Sequence, residues 1–183
     1  MKKKLLTLLM IGSVVIVSSC GKIKEATNQD ITLTGAEITL ILSPKEVSSG
    51  SVELQSATTT SDIDALIKEK ASGFGLKNVK SLKIKTLTAE ITAGSNAASN
   101  FSNFKDLSAT LEATGKTPFS ASYVGTPPAS STTISFVVNN TVDLKDLVSG
   151  GTLKYTLKGT VLSKPTTELT VKVKTTYDVV VGL

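Results

Sequence analysis

Apolar residues recur at every second position along most of the chain after residue 30, in short runs separated by polar and turn residues. Such alternation is typical of strands that bury one face, and the strand-favouring residues Val and Thr are abundant. The pattern predicts a mainly β protein, an antiparallel β-sandwich or barrel-like fold of about eight strands. The predicted strands cover 31–42, 52–54, 82–91, 107–111, 119–124, 134–138, 153–161 and 169–181.

Two changes of phase interrupt the alternation. Gly35 shifts the apolar positions within 31–42, and glycine inside a strand often marks a bulge. A second shift falls at Lys85-Thr86. The segment 82–91 is therefore either one long strand with a bulge or two strands.

The last two runs are the most regular in the sequence, and a turn containing Pro165 separates them. They predict a hairpin at the structural centre of the domain, with large apolar residues on one face and lysines on the other. The inward residues include Leu153, Tyr155, Leu157, Val171 and Tyr177, and the outward residues include Lys154 and Lys158.

Helical periodicity is confined to two short segments. The first predicts a helix over about 61–72, with Ser61 as its cap and Gly73 as its stop. The second predicts a helical turn over about 141–148, preceded by Asn140 as a candidate cap.

The N-terminal segment has a different character. Lys2, Lys3 and Lys4 precede an almost unbroken apolar run over 5–17. This run is too short to span a bilayer, which needs about 20 residues. A basic start, a short apolar stretch and small residues at a cleavage point indicate a secretory signal peptide. The small residues are Ser18 and Ser19, and the residue after them, Cys20, is the single cysteine of the chain.

Val17-Ser18-Ser19-Cys20 resembles the lipobox of bacterial lipoproteins, in which two small residues precede the cysteine, and the whole signal is similar to those of Bacteroidota lipoproteins. The resemblance implies that Cys20 carries a diacylglycerol thioether and an acylated amine, which anchor the protein to a membrane. Gly21 in place of Asp favours the outer membrane, and Lys22 and Lys24 argue for a periplasm-facing protein. The alternatives are a plain secreted protein or a short membrane-anchored helix.

These features divide the chain into three parts. Residues 1–19 are the predicted lipoprotein signal peptide. Residues 20–30 are the lipidated cysteine and a polar tether, which reaches about 35 Å when fully extended. Residues 31–183 are a single β-sandwich domain, long enough to bury a sizeable core.

Composition excludes several kinds of chemistry. The chain has no His, and its one Cys is committed to lipidation, so Ser-His-Asp and Cys-His catalysis and ordinary zinc sites are excluded. All 20 basic residues are Lys. Without its three signal-peptide lysines the chain has 17 Lys against 15 acids, which gives no basis for nucleic-acid binding. We predict no catalytic residue, no cofactor and no metal.

Three local clusters have residue types that occur in binding sites. Asp62 and Asp64 resemble a fragment of a metal site, but the dipole of a helix explains two acids in its first turn. The loop 95–100 has oxygen donors but no acid, so a calcium site is not expected there. The densest basic cluster is interpreted as a solvated strand face, with contact to anionic headgroups as the alternative. Its members are Lys77, Lys80, Lys83 and Lys85.

The function predicted from the sequence is that of a membrane-anchored, non-enzymatic lipoprotein, a binding or accessory module of the cell envelope with an unidentified protein partner. The main alternative is a carrier of an apolar ligand, with a cavity bordered by phenylalanines. Those residues are Phe101, Phe104, Phe119 and Phe136. Further alternatives are an enzyme with paired carboxylates, an eight-stranded membrane barrel and a fimbrial subunit.

Overall fold

Two antiparallel sheets pack face to face in residues 28–183, the part of the chain that the computed structural model describes. This arrangement confirms the predicted mainly β, sandwich-like fold. The signal peptide and Cys20 lie outside the described residues. The strands are β1 (Gln29–Thr34), β2 (Ile38–Leu42), β3 (Val52–Thr60), β4 (Val79–Ala93), β5 (Phe104–Glu112), β6 (Phe119–Tyr123), β7 (Thr133–Ser135), β8 (Thr152–Val161) and β9 (Leu169–Val181). The helices are α1 (Ile63–Lys70) and α2 (Lys145–Val148), with 3-10 helices at Leu76–Asn78 and Phe101–Asn103.

Sheet A has the order β1-β9-β4-β7, and β2 also pairs with β9. Sheet B has the order β3-β8-β5-β6. The alternating apolar residues of both sheets point inward and form one continuous buried core. The outer faces carry Thr, Ser, Lys and acidic residues, which is typical of antiparallel sheets that expose one face to solvent.

The phase shift at Gly35 divides the predicted strand 31–42 into two strands. β1 and β2 lie end to end along β9, and residues 35–37 separate them. The Gly35 N–H still donates to the Thr175 carbonyl at 2.9 Å, and a Cβ on Gly35 would lie 2.9 Å from Cε2 of Tyr177. Glycine is therefore needed here because Tyr177 fills the space that a side chain would occupy.

The phase shift at Lys85-Thr86 is a bulge in a single strand. β4 runs for 15 residues, and its register against β9 shifts between Ile84 and Thr86. Of the two alternatives for this segment, the long strand with a bulge is the correct one.

The predicted hairpin of the last two strands is wrong. β8 pairs with β3 and β5 in sheet B, whereas β9 pairs with β1, β2 and β4 in sheet A, and the loop 162–168 crosses between the sheets. The alternation of apolar and polar residues specifies which face of a strand is buried. It does not specify which other strand pairs with it. The predicted faces are confirmed. Leu157 and Val171 are buried, and Lys154 and Lys158 are exposed.

One edge of the sandwich is closed by a segment that changes sheets. Ile134 of β7 pairs with Ala89 in sheet A, and three residues later Val137 bridges to Ser122 of β6 in sheet B. The Val137 N–H donates to the Ser122 carbonyl at 2.7 Å. Strands that switch sheets in this way make the corners of a sandwich, so the fold is partly barrel-like.

The N-cap of α1 lies one residue later than the cap predicted for it. Asp62, and not Ser61, is the N-cap, because its carboxylate accepts the Ala65 N–H at 2.9 Å. Ile63 and Ile67 are 2% and 0% exposed and anchor the helix to the core. The helix therefore covers one opening of the sandwich as a structural element.

The second helix is shorter than the predicted turn over 141–148, and Asn140 does not cap it. Leu144 is the N-cap residue and makes no side-chain capping bond. The carboxylate of Asp143, one residue earlier, accepts the Lys145 N–H at 2.9 Å and also the Leu82 N–H of β4 at 3.2 Å. Leu144, Leu147 and Val148 point into the core as predicted.

The core also contains a phenol whose ionisation opposes folding at high pH. Tyr177 is 1% exposed, and burial, together with the neighbouring Tyr155, raises the pKa of Tyr177 well above its usual value. The folded protein thus holds this proton more tightly than the unfolded chain. The associated stability is complete below about pH 10 and is lost as the pH rises further.

We expect Tyr177→Phe to flatten the decline of the unfolding free energy above about pH 10, because it removes the group that ionises on unfolding. Urea unfolding followed over this alkaline range measures the slope. Tyr123→Phe is the matched control, since Tyr123 is only half-buried on β6. Equal slopes for Tyr177→Phe and the parent protein would contradict the assignment.

Candidate functional site

The two ends of the sandwich differ in what they carry. At the proximal end β1 and β4 begin and β9 ends, since Gln29 and Val79 both lie opposite Val181. The distal end is the opposite one, where β9 begins. Four loops meet there and form what we call the distal loop surface, residues 43–51, 94–103, 124–132 and 162–168.

Ser99 joins two of these loops. Its side chain is 0% exposed, and its hydroxyl oxygen accepts the N–H groups of Thr166 at 2.8 Å and Thr167 at 3.1 Å. The Thr167 hydroxyl in turn donates to the Gly94 carbonyl at 2.6 Å. A buried serine therefore fixes the loop 162–168 against the loop 94–103.

Asn100 and Asn103 extend this polar network. Asn103 donates from Nδ2 to the Ser163 hydroxyl at 2.9 Å, and its Oδ1 accepts the Asn100 N–H at 2.7 Å. Asn100 accepts the Ser102 N–H at 2.9 Å. These bonds shape the short 3-10 helix that places Phe101 in the core with 0% exposure.

The remaining two loops are tied to the same network. Phe101 donates its N–H to the Ser131 carbonyl at 2.9 Å, and Ser48 donates its N–H to the Val161 carbonyl at 3.0 Å. Lys164 forms an ion pair with Glu46. Fully bonded polar networks of this kind hold loops in one arrangement, so the surface is pre-organised.

The distal loop surface is neutral and carries scattered apolar side chains. Its charged residues are two lysines and two glutamates, Lys45, Lys164, Glu46 and Glu168. Val47 is 64% exposed and Val124 is 81% exposed. Hydroxyls, amides and isolated valines suit contact with another protein surface, whereas phosphates require a concentration of positive charge.

We expect Ser99→Ala to destabilise the protein by about 1–3 kcal/mol, because it removes the acceptor of two partly buried N–H···O bonds, each of which contributes about 0.5–1.5 kcal/mol. Urea unfolding measures this cost, and hydrogen exchange should show the loss of protection in residues 162–168. Ser95→Ala, an exposed change in the same loop, is the control. A Ser99→Ala variant as stable as Ser95→Ala would show that the network is not holding these loops.

The outer face of sheet A carries a ladder of ion pairs. Lys174 lies 3.0 Å from Glu90 and 3.5 Å from Glu37, and Lys172 also pairs with Glu37. The hydrogen bond from Lys172 lowers the pKa of Glu37, and Glu90 raises the pKa of Lys174. The lowered pKa of Glu37 is opposite in direction to the raised carboxyl pKa that a general acid needs.

The lysine cluster of β4 separates into two groups. Lys85 lies 3.0 Å from Asp178 and also donates to the Thr32 hydroxyl. Within residues 28–183, Lys77, Lys80 and Lys83 form no ion pair within 4.0 Å. These three lie at or near the proximal end, on the 3-10 helix at Leu76–Asn78 and the start of β4.

The acids considered as metal ligands have structural roles. Asp62 caps α1, and Asp64 accepts the Leu76 N–H at 2.7 Å and pairs with Lys68, whose hydrogen bond lowers the pKa of Asp64. The described residues contain no cluster of three or more His, Cys, Asp or Glu side chains suited to a metal. In the same part of the chain, no helix has the length and apolarity needed to cross a membrane.

The four phenylalanines proposed to border a ligand cavity are packed in the core. Phe101, Phe104, Phe119 and Phe136 are between 0% and 5% exposed. Five depressions on the described surface, of about 240 to 570 Å³, are lined by other residues. The packing therefore gives the apolar-ligand carrier no support.

Sequence reasoning missed the network of Ser99, Asn100 and Asn103. The sequence predicts a loop with oxygen donors over 95–100, and such composition is typical of exposed loops. One signal in the sequence pointed to this network. Phe101 is a large apolar residue in a polar stretch, and such a residue is usually buried, so the polar residues around it are drawn towards the core. The predicted site residue, Cys20, lies outside the described residues.

No protein-family model and no curated protein sequence matches the chain. The function proposed below therefore depends on the residues and the geometry alone.

Proposed function

We propose that this protein is a lipid-anchored, non-enzymatic binding or accessory module of the bacterial cell envelope that presents its distal loop surface to a protein partner. One observation carries the proposal. The chain enters the sandwich at its proximal end, through Gln29, and the pre-organised loops lie at the opposite end. A protein held by its N-terminus would therefore direct these loops away from the membrane.

The anchor in this proposal is Cys20, acylated after cleavage behind Ser19, with the outer membrane as the location and the periplasm as the compartment. The segment Val17-Ser18-Ser19-Cys20 supports it through its resemblance to a lipobox. Two or more acyl chains hold a protein on a bilayer without a spanning segment.

The chemistry of the distal loops supports a protein as the partner. Equal numbers of lysine and glutamate leave no net charge for an anionic ligand. Exposed Val47 and Val124 offer apolar contacts, and the polar network limits the entropy lost when the loops bind.

Site-specific photo-crosslinking in cells that make the full chain tests the proposal. A photoreactive residue at position 124 should give one discrete protein adduct, and the same residue at position 58, on the outer face of sheet B, should give none. Val47→Asp should remove the adduct from position 124, whereas Val142→Asp, at the proximal end, should leave it. An adduct from position 58 alone, or one that Val47→Asp leaves unchanged, would reject the distal loops as the binding surface.

A further inference from the structure

The triplet Asn-x-Ser/Thr, with any residue except proline in the middle, occurs twice in the chain. The first triplet begins at Asn100 and the second at Asn139. In exported proteins this triplet marks asparagines that accept an N-linked oligosaccharide, and such asparagines lie on the surface. The structure places the two asparagines in opposite environments, so it distinguishes between them.

The side chain of Asn100 is closed to a modifying enzyme. It is 2% exposed, and its Nδ2 donates to the carbonyls of Asn96 at 3.1 Å and Ala97 at 3.4 Å. The next residue, Phe101, is 0% exposed in the core. Attachment of a sugar to Asn100 would therefore require the network of the distal loops to unfold.

The side chain of Asn139 is open to solvent, as are those of Asn140 and Thr141. The Oδ1 atom of Asn139 accepts the N–H of Thr141 at 3.0 Å and the hydroxyl of Thr141 at 2.7 Å. Within residues 28–183, the Nδ2 atom of Asn139 forms no hydrogen bond, in contrast to that of Asn100. The atom that carries the sugar in an N-linked glycan is thus available for reaction.

The backbone around Asn139 is also accessible. The loop 138–143 is fixed at its two ends, where Val137 donates its N–H to the Ser122 carbonyl and Leu144 donates its N–H to the Leu82 carbonyl, both at 2.7 Å. Between these ends, the backbone groups of 138–143 form no hydrogen bond with other backbone groups of the described part of the chain. An enzyme can therefore bind this loop in the folded protein without breaking a strand or a helix.

We propose that Asn139 accepts an N-linked oligosaccharide from a polyprenyl-pyrophosphate donor, by the action of an oligosaccharyltransferase on the folded domain. The Nδ2 atom bonds to the anomeric carbon of the first sugar, and the bond from that carbon to the pyrophosphate oxygen breaks. The pyrophosphate leaves with the electron pair, and Nδ2 gives up one proton to a base of the transferase. The inference rests on the envelope location in the proposed function, because such transferases act on exported chains.

The position of Asn139 leaves the distal loop surface free. The loop 138–143 lies between the sheet-switching residue Val137 and α2, and it is none of the four distal loops. Two exposed apolar residues flank Asn139, since Val137 is 72% exposed and Val142 is 39% exposed. An oligosaccharide between them adds a bulky hydrated group beside these side chains, which disfavours adhesion at this side of the sandwich.

Mass spectrometry of the full protein, isolated from cells that express it naturally, tests the inference. We expect the peptide that contains Asn139 to gain the mass of whole sugar residues, and fragmentation of that peptide to locate them on Asn139. The peptide that contains Asn100 should be unmodified. An unmodified Asn139 or a sugar on the Thr141 hydroxyl would overturn the inference. Modification of Asn100 as well would place attachment before folding and contradict it.

Four variants made in the same cells provide the second measurement. Asn139→Gln and Thr141→Val should lose the sugar completely, because each destroys the triplet. Thr141→Ser retains the triplet and should retain the sugar, and so should Asn140→Gln, which replaces the neighbouring exposed asparagine. All three positions are exposed, so the variants should unfold at the urea midpoint of the parent protein. A sugar that persists in Asn139→Gln or in Thr141→Val would reject the assignment.

Cell fractionation separates failure of the inference from failure of the proposed location. Protein recovered from the envelope with Asn139 unmodified rejects the inference and leaves the envelope location intact. Protein recovered only from the cytosol rejects the location, and the inference is rejected with it.

Discussion

Replacing Cys20 with alanine should abolish fatty-acid attachment completely and leave the protein either uncleaved or free of the membrane. The expected effect is all-or-none because Cys20 is the only cysteine and the only acyl acceptor that the Val17-Ser18-Ser19-Cys20 segment provides. Each buried methylene contributes about 0.8 kcal/mol to membrane binding, so loss of every acyl chain removes the whole anchor.

Metabolic labelling with a fatty-acid analogue, followed by membrane fractionation, measures both consequences of Cys20→Ala. Ser19→Ala is the matched control, because it keeps a small residue before the cysteine and should retain the label. Label retained by Cys20→Ala would reject the lipoprotein assignment. Loss of label in Ser19→Ala as well would mean that the signal requires more than small residues before Cys20.

Leu157→Ala should lower the free energy of unfolding by about 2–5 kcal/mol, through lost burial and the cavity left behind. Leu157 is 1% exposed in β8, between Gln55 of β3 and Ala109 of β5, so neighbours on both sides limit collapse of the cavity. A domain of this size is stable by only about 5–15 kcal/mol, so the loss is a large fraction of the total.

The midpoint and slope of urea unfolding measure this effect, and Lys158→Ala is the control. Lys158 is the next residue on β8 and points from the outer face, so its removal should change the stability by less than about 0.5 kcal/mol. Val171→Ala, in the centre of sheet A, should also destabilise, by about 1–4 kcal/mol. Equal losses for Lys158→Ala and Leu157→Ala would invert the assignment of faces.

The faces of the strands were predictable because alternation has a physical cause that acts locally. Leu157 and Val171 are apolar within runs whose neighbours are polar, and burial of one face of a sheet requires that order. The bulge at Lys85-Thr86 was visible for the same reason, since an extra residue reverses the alternation.

The pairing of strands was not predictable in the same way. β8 and β9 are joined by a short loop and look like the arms of a hairpin, yet each is a central strand of a different sheet. What decides between these arrangements is the packing of distant segments, which the spacing of apolar residues along one strand does not record.

The buried polar residues of the distal loops were also not predictable from the sequence. Ser99 and Asn103 are buried because Phe101 draws their segment into the core, where their side chains replace water as hydrogen-bond partners. Serine and asparagine are equally common in exposed turns, so their types alone did not separate the candidate surface from an ordinary loop.

The topology of sheet A also governs the order in which the protein can fold. Within residues 28–183, β1 and β2 pair with β9 alone, and Gln29 lies opposite Val181. Sheet A therefore stays open until the last strand has been synthesised, and its closure joins residues from opposite ends of the sequence. Such long-range pairing slows folding, so the chain remains unfolded for longer than one whose neighbouring strands pair with each other.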